Sequence, residues 1–142
     1  MASTPASCLP GAIKAIVSIL RADAALASLL GGQARIYTRA PDGQAPPYVW
    51  ALSGEEVPDN QLRTYGKRAT IDLLVVSRYE GTEELDAITS RVMELLDNRQ
   101  GVELPGYGTG RFEWIRNDRP AVEDVNGEPY FERLCVVGVQ AR

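Results

Sequence analysis

Residues 69–78, ATIDLLVVSR, constrain the fold more than any other stretch of the chain. Successive side chains of a strand point to opposite faces. Ile71, Leu73 and Val75 therefore line one face, and Thr70, Asp72, Leu74 and Val76 the other. The first set is wholly apolar and the second is mixed. Such a strand packs on helices with one face and leaves the other partly exposed, or docked to a partner. Just downstream the period changes. In GTEELDAITSRVMELLD, residues 81–97, the apolar residues Leu85, Ile88, Val92, Leu95 and Leu96 recur at helical spacing. Thr82 is the expected N-cap, and Glu83 and Glu84 suit the positive end of the helix dipole. Residues 98–101 are expected to end this helix.

Upstream, Ile13, Ile16, Val17 and Leu20 form one apolar helical face. Asp23 can cap a further helical turn carrying Leu26, Leu29 and Leu30, and Gly31 and Gly32 stop it. The pieces read as one kinked helix or two short ones. Residues 35–38 form a short strand candidate, and 40–43 (Ala-Pro-Asp-Gly) a turn. Pro46 and Pro47 enforce an extended entry to a strand over 48–52. Residues 53–67 are polar and read as a long loop or an extended hairpin.

Towards the C-terminus, 104–110 (LPGYGTG) reads as a loop. Residues 111–116 read as a strand with Phe112 and Trp114 on one face and Ile115 on the other. Asp118, Arg119 and Pro120 break it. Asn126-Gly127 is a strong hairpin signal, leading into a last strand over 130–141 with Phe131, Cys135, Val137 and Val139 on one face. Residues 1–10, rich in Ser, Thr, Pro and small side chains, read as a flexible arm. Residues 11–142 read as a single α+β domain, with a mixed or antiparallel sheet and helices packed on one face.

A chain of 142 residues with 44% apolar and 24% charged side chains can hold its own core without metals or disulfides. It contains no apolar run long enough to span a membrane. The net charge of −4 argues against a dedicated nucleic-acid binder. Thirteen of the 15 basic residues are arginine, which suits interface ion pairs better than lysine does. Cys135, inside an apolar run, reads as a small buried hydrophobe, and Cys8 falls in the arm.

The sequence has no histidine. That removes the commonest general base, metal ligand and nucleophile activator together. Two distant cysteines and scattered carboxylates match no usual zinc set. The adjacent acids Glu55 and Glu56, Glu83 and Glu84, and Glu123 and Asp124 read as solvated charge. The Gly106-Tyr107-Gly108-Thr109-Gly110 run lacks the lysine of a phosphate-binding loop and precedes a strand where that motif needs a helix. No catalytic residue, metal or cofactor is expected, and the chain reads as a structural subunit. Tyr and Arg are residues favoured at interface hot spots. Arg63, Tyr65, Lys67 and Arg68 form a basic-aromatic cluster that could meet a protein partner. Tyr48, Trp50 and the mixed-face Asp72 complete the candidate interface.

Together, LRADAALASLLGGQARIY (residues 20–37), APDGQAPPYVW (40–50), the strand at 69–78, the helix at 81–97 and a final strand pair joined at Asn126-Gly127 resemble the tail-completion, or tail-terminator, proteins of long-tailed bacteriophages. The likeness covers roughly residues 13–141. It implies an α/β fold that assembles as a homo-hexameric ring at the head-proximal end of the tail tube. Such a ring stops polymerisation of the major tail tube protein and offers a docking face to the neck or connector protein. DNA passes through its lumen without specific binding. The place implied is the virion, after assembly in the host cytoplasm. Another head–tail joint or a minor tail protein on the same module is the alternative.

Overall fold

The computed structural model describes residues 7–39, 45–59, 66–78, 82–125 and 127–141. The turn expected at 40–43, Arg63, Tyr65, Asn126 and most of the N-terminal arm lie outside the described residues. The helices are α1 (Leu9–Arg21), α2 (Ala24–Leu29) and α3 (Glu83–Leu96). The strands are β1 (Ile36–Tyr37), β2 (Tyr48–Asp59), β3 (Gly66–Arg78), β4 (Arg99–Leu104), β5 (Gly108–Asn117), β6 (Ala121–Val125) and β7 (Glu128–Ala141). The fold is α+β: three helices against one mixed sheet that curls into a half-barrel.

The seven strands run β1-β2-β3-β7-β5-β4, with β6 also on β7. Only β1 and β2 pair in parallel. One edge of β7 is taken by β3, from Lys67 opposite Ala141 to Arg78 opposite Tyr130. The other edge is shared end to end. β5 pairs from Gly110 opposite Ala141 to Asn117 opposite Cys135, and β6 from Ala121 opposite Glu132 to Val125 opposite Glu128.

The described residues of the polar stretch at 53–67 pair as an extended hairpin. β2 runs on to Asp59 and β3 starts at Gly66. Gly54 permits this pairing, because a Cβ there would stand 1.9 Å from the carbonyl oxygen of Thr70. The core lies between the helices and one sheet face. Ile16, Leu20, Leu26, Ile71, Leu73, Leu85, Ile88, Leu96 and Phe112 are all fully buried there. Each such side chain contributes about 1.5–3 kcal/mol relative to an exposed one.

α1 starts at Leu9, inside the stretch expected to be loose, and Cys8 before it is fully buried. The reason is Glu56 on β2. Its Oε1 accepts the backbone N–H of Cys8 at 2.9 Å, and its Oε2 accepts the hydroxyl of Ser7. A carboxylate from another element thus does the capping that Cys8 cannot. Burial pushes the Glu56 carboxyl up, but these hydrogen bonds bring it below its ordinary value. α1 and α2 are two helices rather than one kinked helix. The Asp23 carboxylate caps α2 by accepting Leu26 N–H at 2.9 Å. Gly31 and Gly32 then leave it with φ of 89° and 95°.

Two expectations need correction. Thr82 sits at the N-cap of α3 but makes no side-chain capping bond. The dipole is instead met by Glu83, Glu84 and Asp86 in the first turn. The stretch 104–110 is not all loop, because after α3 the chain enters a hairpin. Asn98, at φ 55°, swings it into edge strand β4, which turns at Gly106 into β5. Within 104–110, Leu104 ends β4 and Gly108 opens β5, so the loop is only the turn between them. In β4 only Leu104 is buried, so no alternation announced it.

Candidate assembly surface

The sheet face away from the helices carries no covering element among the described residues. The register defines its rows. Tyr48, Val76, Glu132 and Ala121 stand side by side at one end; Trp50, Leu74 and Leu134 follow. Next comes Ser53, Asp72, Val136 and Arg116, then Glu55, Thr70, Gly138 and Glu113. The last complete row is Val57, Arg68, Gln140 and Arg111. Val76 and Val136 are 0% and 5% exposed, yet stand outside the core cluster beneath the helices. Trp50, Leu74 and Leu134 are half-buried. The face is apolar at Trp50, Leu74, Leu134, Val76 and Val136, and polar at Asp72, Glu132 and the rows beyond.

Two β-bulges meet at one level of this sheet. The register slips on β2 between Ala51 and Ser53, and on β5 between Trp114 and Arg116. Both slips flank the row of Asp72 and Val136, one on each side. A bulge bends its strand and re-aims a side chain. On β5 it throws Ile115 across the open face, where it is 46% exposed and its Cδ1 would lie 3.0 Å from a Cβ placed on Gly138. Ile115 thereby separates two adjoining hollows. One, of about 440 Å³, is lined by Gly54, Glu55, Thr70, Asp72, Ile115, Arg116 and Val136. The other, of about 300 Å³, reaches Arg68, Arg111 and Glu113. Asp72 is half-buried in the first hollow, and its carboxylate forms no hydrogen bond or ion pair among the described residues. Arg116 on its rim is taken up by Asp118 at 2.9 Å.

The candidate residues divide as follows. Tyr48, Trp50, Arg68 and Asp72 share the open face. Lys67 does not: it pairs with buried Ala141 on the helix-facing side, and its charge acts on Glu56 and Cys8. Strand alternation separates it from Arg68. Tyr48 packs edge-on against Tyr37, with ring centroids 5.9 Å apart. Burial, then Tyr130 and Glu132, push its hydroxyl pKa up. Glu132 is itself pushed up by burial and then by neighbouring Glu123. The sequence reading did not single out Glu132 and Val136, and it gave Ile115 its face but not its prominence, because a bulge leaves no mark in an alternating pattern.

Neither cysteine is placed for chemistry. Both are free and buried, and burial pushes each thiol up to about 12. No helix among the described residues is long and apolar enough to cross a membrane. Among them no group of three or more Cys, Asp or Glu stands ready to hold a metal. What the site offers is contact area, shape and charge.

Comparison with known proteins agrees with that character. No curated protein matches the chain. Among solved structures, a chain of the virion of a native gene transfer agent particle superposes with a TM-score of 0.61 and 20% identity, over 92% of this chain and 94% of that one. At that identity the likeness is one of fold. The family model of the tail completion protein gp17 matches residues 14–125, from the first turns of α1 through β6. With four-fifths of its length so matched, the chain belongs to the tail completion protein gp17 family, a family of structural tail proteins of phage-like particles.

Proposed function

We propose that the protein assembles as a hexameric ring at the head-proximal end of a phage-like tail tube. There it ends tube polymerisation and joins the tail to the neck or connector protein of the capsid. The observation that carries this reading is the uncovered sheet face. A strip of half-buried Trp50, Leu74 and Leu134, with exposed Ile115 beyond the row of Asp72 and Val136, is left facing solvent in the lone subunit. Apolar patches of this kind mark sites of association. Tyr48, Trp50, Arg68 and Asp72 are the residues given to the contact between neighbours.

Charge fits the same role. Six copies at −4 each carry −24 around the lumen. A negative conduit repels DNA phosphate and lets it pass without specific binding. The reading is tested by light scattering of the purified protein, alone and with polymerising tail tube protein. The expected result is a six-subunit ring, free or formed on the tube end, and tubes whose length stops increasing once the protein is added. Monomers throughout, beside tubes that keep growing, would overturn it.

A further inference from the structure

A closed ring needs two different surfaces on each subunit, because head-to-tail contacts close only when one patch meets another. The open sheet face supplies one. We propose that its counterpart is the outer face of α1 on the next copy, with Lys14 entering the hollow at Asp72 and Glu55. This rests on the ring reading above and names its contact.

Three observations lead there. The first is charge. Helix α1 (LPGAIKAIVSILR) carries Lys14 and Arg21 and no acid. The hollow presents Asp72 and Glu55, and Arg116 on its rim is already held by Asp118. The Lys14 ammonium, like the Asp72 carboxylate, forms no hydrogen bond or ion pair among the described residues. Arg21 is occupied at its own subunit, donating to the carbonyl of Ile36 at 2.7 Å. An unpaired cation and an unpaired, half-buried carboxylate on one chain are complementary only between copies if they stand on opposite sides of it.

The second observation is that they do. Pro10, Lys14, Ser18 and Arg21 form the exposed stripe of α1, on the helical layer, and Asp72 faces away from that layer. Contact between front and back repeats around a ring, whereas two patches on one side would give a pair. The third is size. The trough spans β2, β3, β7 and β5, about 14 Å at ordinary strand spacing. A helix about 10 Å across fits that width. Beside α1, Leu29 of α2 is a large apolar side chain at 36% exposure, available to meet the strip at Trp50 and Leu74.

The experiment is a charge swap read by light scattering against protein concentration, with a thermal melt to confirm folding. Lys14→Glu and Asp72→Lys should each raise the concentration at which the ring falls apart by about tenfold or more, the scale of a lost interfacial charge contact. The double variant should return close to the wild type. Should Asp72→Lys fail to fold, Asp72→Asn takes its place, and the effects of Lys14→Glu and Asp72→Asn should then be non-additive. A Lys14→Glu ring as tight as the wild type, or additive effects, overturns the contact and leaves the ring standing. Lys14→Glu rings that form normally but no longer bind tail tubes would assign α1 to the tube and equally overturn it. A wild type that never assembles defeats the ring reading itself.

Discussion

Arg91 on α3 grips the carboxylate of Asp23 with two nitrogens, Nε to Oδ2 at 2.8 Å and Nη2 to Oδ1 at 2.7 Å. The same Oδ2 caps α2 through the N–H of Leu26. One side chain therefore starts a helix and ties it to another. The hydrogen bonds from Arg91 hold the Asp23 carboxyl at about 2, below its ordinary 3.8. A carboxyl depressed in the folded state contributes stability that is present above its unfolded pKa and lost as pH falls through the folded one. The window is thus from 3.8 down to about 2. Asp23→Asn should lower the melting temperature at pH 7 and make stability less steep across that window. Parallel acid limbs for variant and wild type would refute the link.

Gly54 is the position where the β2–β3 pairing tolerates least. A methyl group there would press on the Thr70 carbonyl at 1.9 Å, and backbone cannot step aside as a side chain tip can. Gly54→Ala should cost about 1–3 kcal/mol, the range for overpacked sites. Urea denaturation should show a lower midpoint. An unchanged midpoint would mean that the bulge at Ala51 and Ser53 absorbs the strain.

Arg133 is held on the helix-facing side of β7 with its side chain 13% exposed. Its Nε donates to the carbonyl of Asp118, and its Nη1 to Thr89 Oγ1 and to Asp86. The Asp86 carboxylate is well exposed, so that pair adds little. The penalty for Arg133→Met should come mainly from the Asp118 carbonyl left without its donor, about 1–3 kcal/mol, since the Thr89 hydroxyl keeps its bond to the Leu85 carbonyl at 2.7 Å. If Asp86→Ala proves as damaging as Arg133→Met in chemical denaturation, this apportioning is wrong.

Thiol chemistry offers a direct probe of the buried N-terminal anchor. Cys8 is pushed up by burial first and then by Glu56; Cys135 is pushed up by burial. At pH 8 the native protein should therefore alkylate at neither cysteine, and at both in denaturant. Glu56→Ala should release the start of α1 and expose Cys8 alone. Equal labelling of both cysteines in that variant would show that Glu56 supports more than the helix start.

Where the sequence was legible, a single period ran long enough to be unambiguous. The strand at 69–78 and the helix after it are such cases, and Asp23, with its glycine stop eight residues on, punctuated α2 cleanly. The misses have a common physical cause. Cys8 is buried because Glu56, far along the chain, reaches its N–H, and no local pattern encodes that. β4 is a polar edge strand with one buried residue, so its pairing is set by β5 and not by its own side chains. At the candidate surface, Tyr48, Trp50 and Asp72 fell on one face together with Arg68 of the charged cluster. Lys67, from the same cluster as Arg68, fell on the other, because adjacent residues of a strand point to opposite faces. Ile115 was assigned its face but not its prominence, which comes from the bulge beneath it.

β7 comes last of the strands in chain order, yet it lies in the middle of the sheet, clasped by β3 on one edge and by β5 and β6 on the other. As the chain leaves the ribosome, β3 and β5 must wait with no strand between them until the last segment arrives. The subunit therefore completes its fold only once β7 has been made. The open face, whose rows run across β7, comes into being at the same step. A half-synthesised subunit has no such surface to present.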